Sequence, residues 1–431
     1  MKHKILTNRL ILLSAFVISV LSFSGCSLFG EKEDDTTERI KNEASEANKE
    51  QPKQLVEFLN VAIWQKGFNS PSDVLYGYDK LIYVSDRSSN TVYQFDENGR
   101  QLGSFKKIIN PTKMAMDRKG GLFVIGNDTL SSPGKVFTAI YYLNLHSTNQ
   151  ILSNSTPIDS KLVHPFFYNP AFTGNHKDET VDFVKFVGIA TYSDNSFIVA
   201  RQGPDNSNSR KSIGYDNTIL VFDRNREYFG NLTNYLQPVG SGLKTINNPT
   251  ALATYANPPQ SNSITSSRDF LIGMNGAENF YKVQGVVAVD VQGEQIYDAD
   301  NKFLTLDTDK ASRFLFSFAK RNGIIQSRFL NPSDITVTNA DNKQYIFVSD
   351  SQLDSVYQFT FSGYEGVASP NGPTERNVIV SFGGRPTSGN YSAYQLNHPE
   401  GIAFGNNRLY VADTGNKRVL VYKLSTDITG Q

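Results

Sequence analysis

The stretch HPEGIAFGNNRLYVADTGNKRVLVYKL, residues 398–424, decides the fold. It holds three apolar runs of strand length, with turn-forming Gly, Asn, Asp and Thr between them. The same plan occurs twice more. PSD (71–73), YVSD (83–86) and VYQF (92–95) form one copy, and PSD (332–334), FVSD (347–350) and VYQF (356–359) another. The step from Asp86 to Val92, from Asp350 to Val356 and from Asp413 to Val419 is six residues each time. A fixed internal step kept through three copies is the signature of a structural repeat.

Three weaker copies lie between. KMAM (113–116), LFVIGND (122–128) and AIYYLNL (139–145) make the second unit. VGIATY (187–192), SFIVARQG (196–203) and TILVFD (218–223) make the third, and ALATY (251–255), DFLIGMNG (269–276) and VVAVDV (286–291) the fourth. Six units of short Val-, Ile-, Phe- and Tyr-rich runs predict an all-β array. No stretch after residue 57 keeps a helical period. Two separate β-sandwiches would explain neither the fixed step nor the strand left over at the start.

Residues 398–424 resemble the NHL repeat, a module of six-bladed β-propellers, and so do 71–95 and 331–359. The resemblance implies a propeller over 55–424, with a polar tail at 425–431. Residues 57–424 give about sixty residues per blade against the ~40–50 of propeller repeats, so insertions are expected at 146–185, 202–217, 256–268 and 292–312. The last unit stops at Leu424 without a fourth strand. EFLNVAIW (57–64) has no unit of its own. It is expected to supply that outer strand, burying Phe58, Val61 and Ile63 or their neighbours and leaving no open edge.

Composition narrows the function classes. The chain has 42 Lys+Arg against 42 Asp+Glu, which gives no basic excess for nucleic acid. One cysteine excludes an internal disulfide framework, and five histidines leave few imidazole ligands. The 50 Phe and Tyr among 431 residues supply a large β-type core.

The N-terminus reads as an address. Lys2, Lys4 and Arg9 precede Leu10–Phe23, an uncharged run of 14 residues that is short of the ~20 needed to span a bilayer. The sole cysteine follows in Phe23-Ser24-Gly25-Cys26, which resembles a bacterial lipobox. That resemblance implies a signal peptide over 1–25 and a fatty-acylated (palmitate-bearing) Cys26 as membrane anchor. Losing 1–25 removes three cations and no acid, leaving a net charge of −3. Residues 26–54 read as a flexible tether: Glu31 to Lys53 holds eight acids, five bases and, in Ile40, one aliphatic residue larger than Ala. Ser27 after the cysteine, by resemblance to the bacterial sorting pattern, implies the outer membrane, on its periplasmic or surface side.

In propellers the strand entries and the turns between second and third strands share a face around the central channel. Ligand contacts are therefore expected from Arg87 and Asn90 in the first unit, Arg201 with the insertion residues Arg210 and Tyr215 in the third, Asp354 in the fifth and Arg418 in the sixth. Arginine suits carboxylates and phosphates. The recurring Asp86, Asp350 and Asp413 read as turn formers that accept backbone N–H groups. VHPFFYNPAF (163–172) is an aromatic insertion expected to pack on the ring. NHL-like propellers include a peptide-amidating lyase with histidine-held zinc, and gluconolactonase-type propellers hold a divalent metal with carboxylates and Asn. Here only His398 stands at a strand entry, where Ser70, Asn110, Asn248 and Asn331 stand in other units. No metal site, cofactor or catalytic set is assigned. The sequence reads as an envelope lipoprotein that binds a protein, peptide or glycan. The alternative is a metal-dependent lyase or hydrolase on the same scaffold.

Overall fold

The computed structural model describes residues 56–65, 67–128, 136–155, 184–203, 216–232, 246–256, 268–276, 281–291, 294–300, 315–317, 325–338, 345–367, 377–386 and 391–425. The chain divides into two units, Met1–Val56 and Glu57–Gln431, and all the strands belong to the second.

Strand β1 (Phe58–Trp64) comes first. The first blade is β2 (Pro71–Tyr76), β3 (Ile82–Asp86), β4 (Thr91–Phe95) and β5 (Gln101–Phe105). The second has three strands among the described residues, β6 (Met114–Met116), β7 (Gly121–Asp128) and β8 (Phe137–Asn144). The third is β9 (Lys185–Thr191), β10 (Phe197–Gln202), β11 (Thr218–Phe222) and β12 (Tyr228–Asn231). The fourth is β13 (Pro249–Thr254), β14 (Phe270–Met274), β15 (Val283–Val291) and β16 (Glu294–Ala299). A small hairpin, β17 (Leu315–Ser317) and β18 (Ile325–Ser327), precedes the fifth blade. That blade is β19 (Pro332–Val337), β20 (Tyr345–Asp350), β21 (Ser355–Thr360) and β22 (Phe382–Gly383). The sixth is β23 (Pro399–Gly405), β24 (Arg408–Asp413) and β25 (Arg418–Leu424). Every ladder is antiparallel, and the whole is an all-β, six-bladed propeller. Part of the expected insertion 292–312 is strand β16 itself, because the fourth blade continues its hairpin from Val291 to Glu294.

β1 pairs with β25, Phe58 opposite Leu424 and Trp64 opposite Val419, with a register slip between Asn60 and Ala62. The slip lets Phe58 face the fifth blade and Trp64 the first. Phe58 is buried and Trp64 half-buried, while Val61 and Ile63 point outward at 45% and 44% exposure. Phe58 meets Phe347 at 5.6 Å between ring centroids, and Trp64 stacks on Phe95 at 5.3 Å.

The core lies between blades, because side chains alternate across each strand. Val74, Tyr76, Ile82 and Val84 pack toward the sixth blade, with Tyr410 and Val421, whereas Leu75 and Tyr83 pack toward the second, with Met116 and Leu122. Each blade thus supplies half of two cores. Between the first and second strands the ladder slips one residue just after the entering proline, at Pro71, Pro249, Pro332 and Pro399. Proline suits a strand's first residue, where no ladder N–H is needed. After Pro71 and Pro332 the second residue, Asp73 and Asp334, lines the channel. At Gly401 a Cβ would lie 2.4 Å from the Asp73 Cα, so only glycine lets the sixth blade approach the first this closely.

Candidate functional site

The channel is lined by the inner strands of all six blades, from Asp73–Tyr76 round to Ile402–Phe404, and encloses about 40 Å³ of water-accessible space. Its entrance is the face where strands enter, since Pro71 lies opposite Asp86 and Asp86 opposite Thr91. Around the ring the second residue after the strand entry is Asp73, Lys113, Gly188, Ala251, Asp334 and Gly401, of which Asp73, Lys113, Gly188 and Asp334 line the channel. Three charged groups therefore meet three small ones.

Lys113 Nζ sits 3.2 Å from Asp334 Oδ2 and 3.9 Å from Asp73 Oδ1, and donates to the Glu400 carbonyl at 3.0 Å. Each aspartate also braces the next blade. Asp73 accepts the Met114 N–H at 2.7 Å, and Asp334 accepts the Ile402 N–H at 2.9 Å. Burial pushes the Asp73 carboxyl well above the usual carboxylate range; Lys113 pulls it down without prevailing, and Asp334 pushes it further up.

A second group lies above this triad. In three blades the residue after the proline is a hydroxyl that bonds the next blade's proline carbonyl: Ser72 to Pro111 at 2.9 Å, Thr250 to Pro332 at 2.5 Å and Ser333 to Pro399 at 2.7 Å. The sixth blade has Glu400 there. Its carboxylate pairs with Arg87 of the first blade and lies 3.3 Å from His398 Nε2. Burial would raise Glu400, but His398 and Arg87 outweigh it and hold it below its usual value. The hydrogen bond with Glu400 holds the His398 imidazole above its usual value. The Arg87 side chain is 33% exposed and that of His398 49%. Arg87 Nε donates to Ser70 Oγ at 3.1 Å, and Nη1 has no partner among the described residues.

The other sequence candidates take different places. Asn90 is left-handed at φ 51° and accepts the Asn110 N–H at 2.7 Å; Asp354, at φ 52°, accepts the His398 N–H at 2.7 Å. Both latch one blade to the entry of the next. Arg418 is 4% exposed; it bonds Asp413 at 2.7 Å and the carbonyls of Ser392 and Gln395 at 2.7 and 3.0 Å. Arg201 is 3% exposed and donates to the Asp216 carbonyl at 3.0 Å, and burial holds it down to about 10. Of the three arginines, Arg87 alone reaches the mouth. Arg210, Tyr215, Cys26 and the aromatic insertion 163–172 lie outside the described residues.

The recurring aspartates hold turns. Asp86 accepts the N–H groups of Asn69, Ser70 and Ser89, and Asp350 those of Leu330, Asn331, Gln352 and Leu353. Among the described residues no group of three or more His, Cys, Asp or Glu is placed to hold a metal ion. Lys113, Asp334 and Glu400 were not selected from the sequence as site residues. Each sits in a repeat motif quoted above, and the signal was the break in pattern: Lys113 and Glu400 depart from their counterparts in other units.

Residues 396–422 match the model of the NHL repeat, so the last blade of this six-bladed propeller is an NHL repeat. No curated relative matches the chain. Similar solved structures include an auxiliary nutrient binding protein from Bacteroides ovatus, at 11% identity and TM-score 0.47, covering 83% of this chain and 70% of that one. A PQQ-bound aldose sugar dehydrogenase from Streptomyces coelicolor gives 12% identity and TM-score 0.46, covering 87% and 100%. A virginiamycin B lyase from Staphylococcus aureus gives 10% identity and TM-score 0.41, covering 86% and 99%.

Proposed function

We propose that this chain is an envelope lipoprotein, held on the membrane by acylated Cys26, whose propeller binds a protein, peptide or glycan at the channel mouth on the loop face. One observation carries the binding reading. The substitution of Glu400 for the repeat's hydroxyl draws Arg87 and His398 together at the mouth, part-exposed, with the N–H donors of Arg87 Nη1 unpartnered among the described residues. Such donors suit a ligand rich in carbonyl, carboxylate or hydroxyl acceptors. The triad below is closed by its own charges and serves as the floor. No helix among the described residues is long and apolar enough to cross a membrane. The anchor rests on the basic start, the 14-residue apolar run and the single cysteine after it. On this reading 1–25 is the signal peptide, 26–54 the tether, 55–424 the propeller and 425–431 a polar tail.

The test probes peptide and glycan arrays with the purified chain and with its Arg87→Ala form. Retention that falls about tenfold in the variant, at unchanged melting temperature, supports the site. Equal retention by both places the ligand elsewhere. For the anchor, wild type is expected to incorporate a clickable fatty acid and sediment with membranes. Cys26→Ser is expected to do neither, and its sedimentation as an intact chain would end the lipoprotein reading.

A further inference from the structure

On the opposite face, between the second and third blades, lies an open cleft of about 640 Å³, lined by Arg118, Lys119, Tyr142, Asn144, His146 and Arg226. That volume lies in the range of small-molecule sites. The Asp117–Gly121 turn joins a first strand to a second, and Asp223–Glu227 joins a third to a fourth. Both are at the channel end away from the mouth, so this cleft is separate from the site above.

Two guanidinium groups, a lysine and an imidazole face one space. Among the described residues no carboxylate pairs with Arg118, Lys119, His146 or Arg226. Asp117, the acid behind the cleft, is already committed: it accepts the Tyr142 hydroxyl at 3.0 Å and the N–H groups of Lys119 and Gly121 at 2.9 and 2.8 Å. The cleft is also built, not merely charged. A Cβ at Gly121 would lie 2.1 Å from the Tyr142 hydroxyl oxygen, so the absence of a side chain there lets the ring lie flat. The Arg226 guanidinium stacks over that ring at 4.3 Å. The stack fixes the guanidinium plane, so that its outer N–H groups are set for an anion in the cleft.

We infer that this cleft is a binding site for an oxyanion group, a phosphate or sulfate ester, carried by a soluble molecule or by a lipid headgroup. The lipid source needs its own arm, because Phe229, three residues from Arg226, is 83% exposed.

The experiment uses the full chain bearing Cys26→Ser, so that acylation cannot carry it to vesicles. Calorimetric titration with pyrophosphate and with glucose 6-phosphate forms one arm. Flotation with phosphatidylglycerol vesicles, against phosphatidylcholine vesicles, forms the other. Saturable binding in either arm is expected, weakened about tenfold or more by Arg226→Gln and by Lys119→Gln, and weakened further by salt. Tyr142→Phe keeps the ring and is expected to bind; Tyr142→Leu removes it and is expected to bind poorly. Binding in the soluble arm alone identifies a small ligand, and binding only to phosphatidylglycerol identifies a headgroup. Lys119 is exposed on a turn, so its variant folds and keeps the test decisive. The inference is overturned if no probe binds at millimolar concentration, or if the combined R118Q, K119Q and R226Q variant binds as wild type does.

Discussion

The Thr414 side-chain hydroxyl donates to the Pro71 carbonyl at 2.6 Å, joining the last blade to the first across 343 residues. In the first, fourth and fifth blades that bond to the next blade's proline comes from the hydroxyl after the entry proline, Ser72, Thr250 and Ser333, and in the third Gln202 Nε2 donates to the Pro249 carbonyl at 3.4 Å. Because Thr414 makes it here, position 400 is released from the seam and carries Glu. A structural bond moved by a few residues thus gives the ring one charged position at its mouth, and the partners of Glu400 follow from it.

Arginines of the same turn class are expected to part company under mutation. Arg418→Ala leaves the buried Asp413 carboxylate without its cation and two carbonyls without a donor. A loss of about 3 kcal/mol is expected, since breaking a buried pair costs ~3–5 kcal/mol. Arg87→Ala, whose side chain is one-third exposed, is expected to cost less than about 1 kcal/mol. Urea denaturation of both variants, read against array binding, makes the comparison. Equal stabilities would remove the distinction drawn between the seam and the mouth.

Lys113→Met tests the triad. With the ammonium gone, Asp73 and Asp334 face each other in a buried channel. At neutral pH the variant is expected to lose about 3–5 kcal/mol. The Asp73 carboxyl is already raised by burial, so its protonated form is the one the fold favours. A group raised in the folded state adds stability at low pH and loses it as pH rises through its folded value. The deficit of the variant should therefore shrink as pH falls into the carboxylate range. A deficit that does not change with pH would mean the two acids are not what the lysine neutralises.

His398 and Glu400 set a pH window for the mouth. The imidazole is raised, so its contribution is complete below the ordinary histidine value and fades as pH climbs through the raised one. The carboxylate is lowered, so its contribution is complete above the ordinary glutamate value and fades as pH falls through the lowered one. The pair should be tightest between those limits. An NMR titration is expected to place His398 above ~6.5, and Glu400→Gln to bring it down. Arg87→Ala should raise it further, since Arg87 opposes the imidazolium. An unchanged titration in Glu400→Gln would dissolve the pair.

Much of the ring was legible because its repeat is local. The six-residue step from Asp86, Asp350 and Asp413 is one tight turn, and the backbone N–H groups those acids accept come from the turn itself and the strand entry. The mouth was less legible because it depends on neighbours distant in sequence. Arg87 meets Glu400 across 313 residues, and only the closed ring sets their distance. Arginines on the same class of turn looked equivalent until packing buried Arg201 and Arg418 and left Arg87 at the rim. Of the expected Phe58, Val61 and Ile63 or their neighbours, Phe58 and Trp64 pack on the ring while Val61 and Ile63 stay exposed. The slip between Asn60 and Ala62 lets Phe58 face the fifth blade and Trp64 the first.

The last prediction concerns the strand that precedes the repeats. β1 completes the sixth blade on the outside of β25, and Ser425 donates back to the Glu57 carbonyl at 2.8 Å. Its hold on the ring is aromatic. Trp64 touches Phe95 of the first blade and Tyr410 of the sixth, at 5.3 and 5.8 Å, and Phe58 touches Phe347 of the fifth. One short strand therefore bears on three blades. Truncating a large aromatic in a core costs ~3–5 kcal/mol, and Trp64 is half-buried, so Trp64→Ala is expected to cost about 3 kcal/mol. Removing residues 56–65 deletes those contacts and exposes β25 as an edge, which invites association between chains. The truncated chain is expected to melt well below wild type and to form oligomers, whereas Val61→Ser, on the outward face, is expected to change neither. Melting curves and light scattering read both quantities. A truncated ring that stays monomeric and melts with wild type would show that the sixth blade holds without its N-terminal strand.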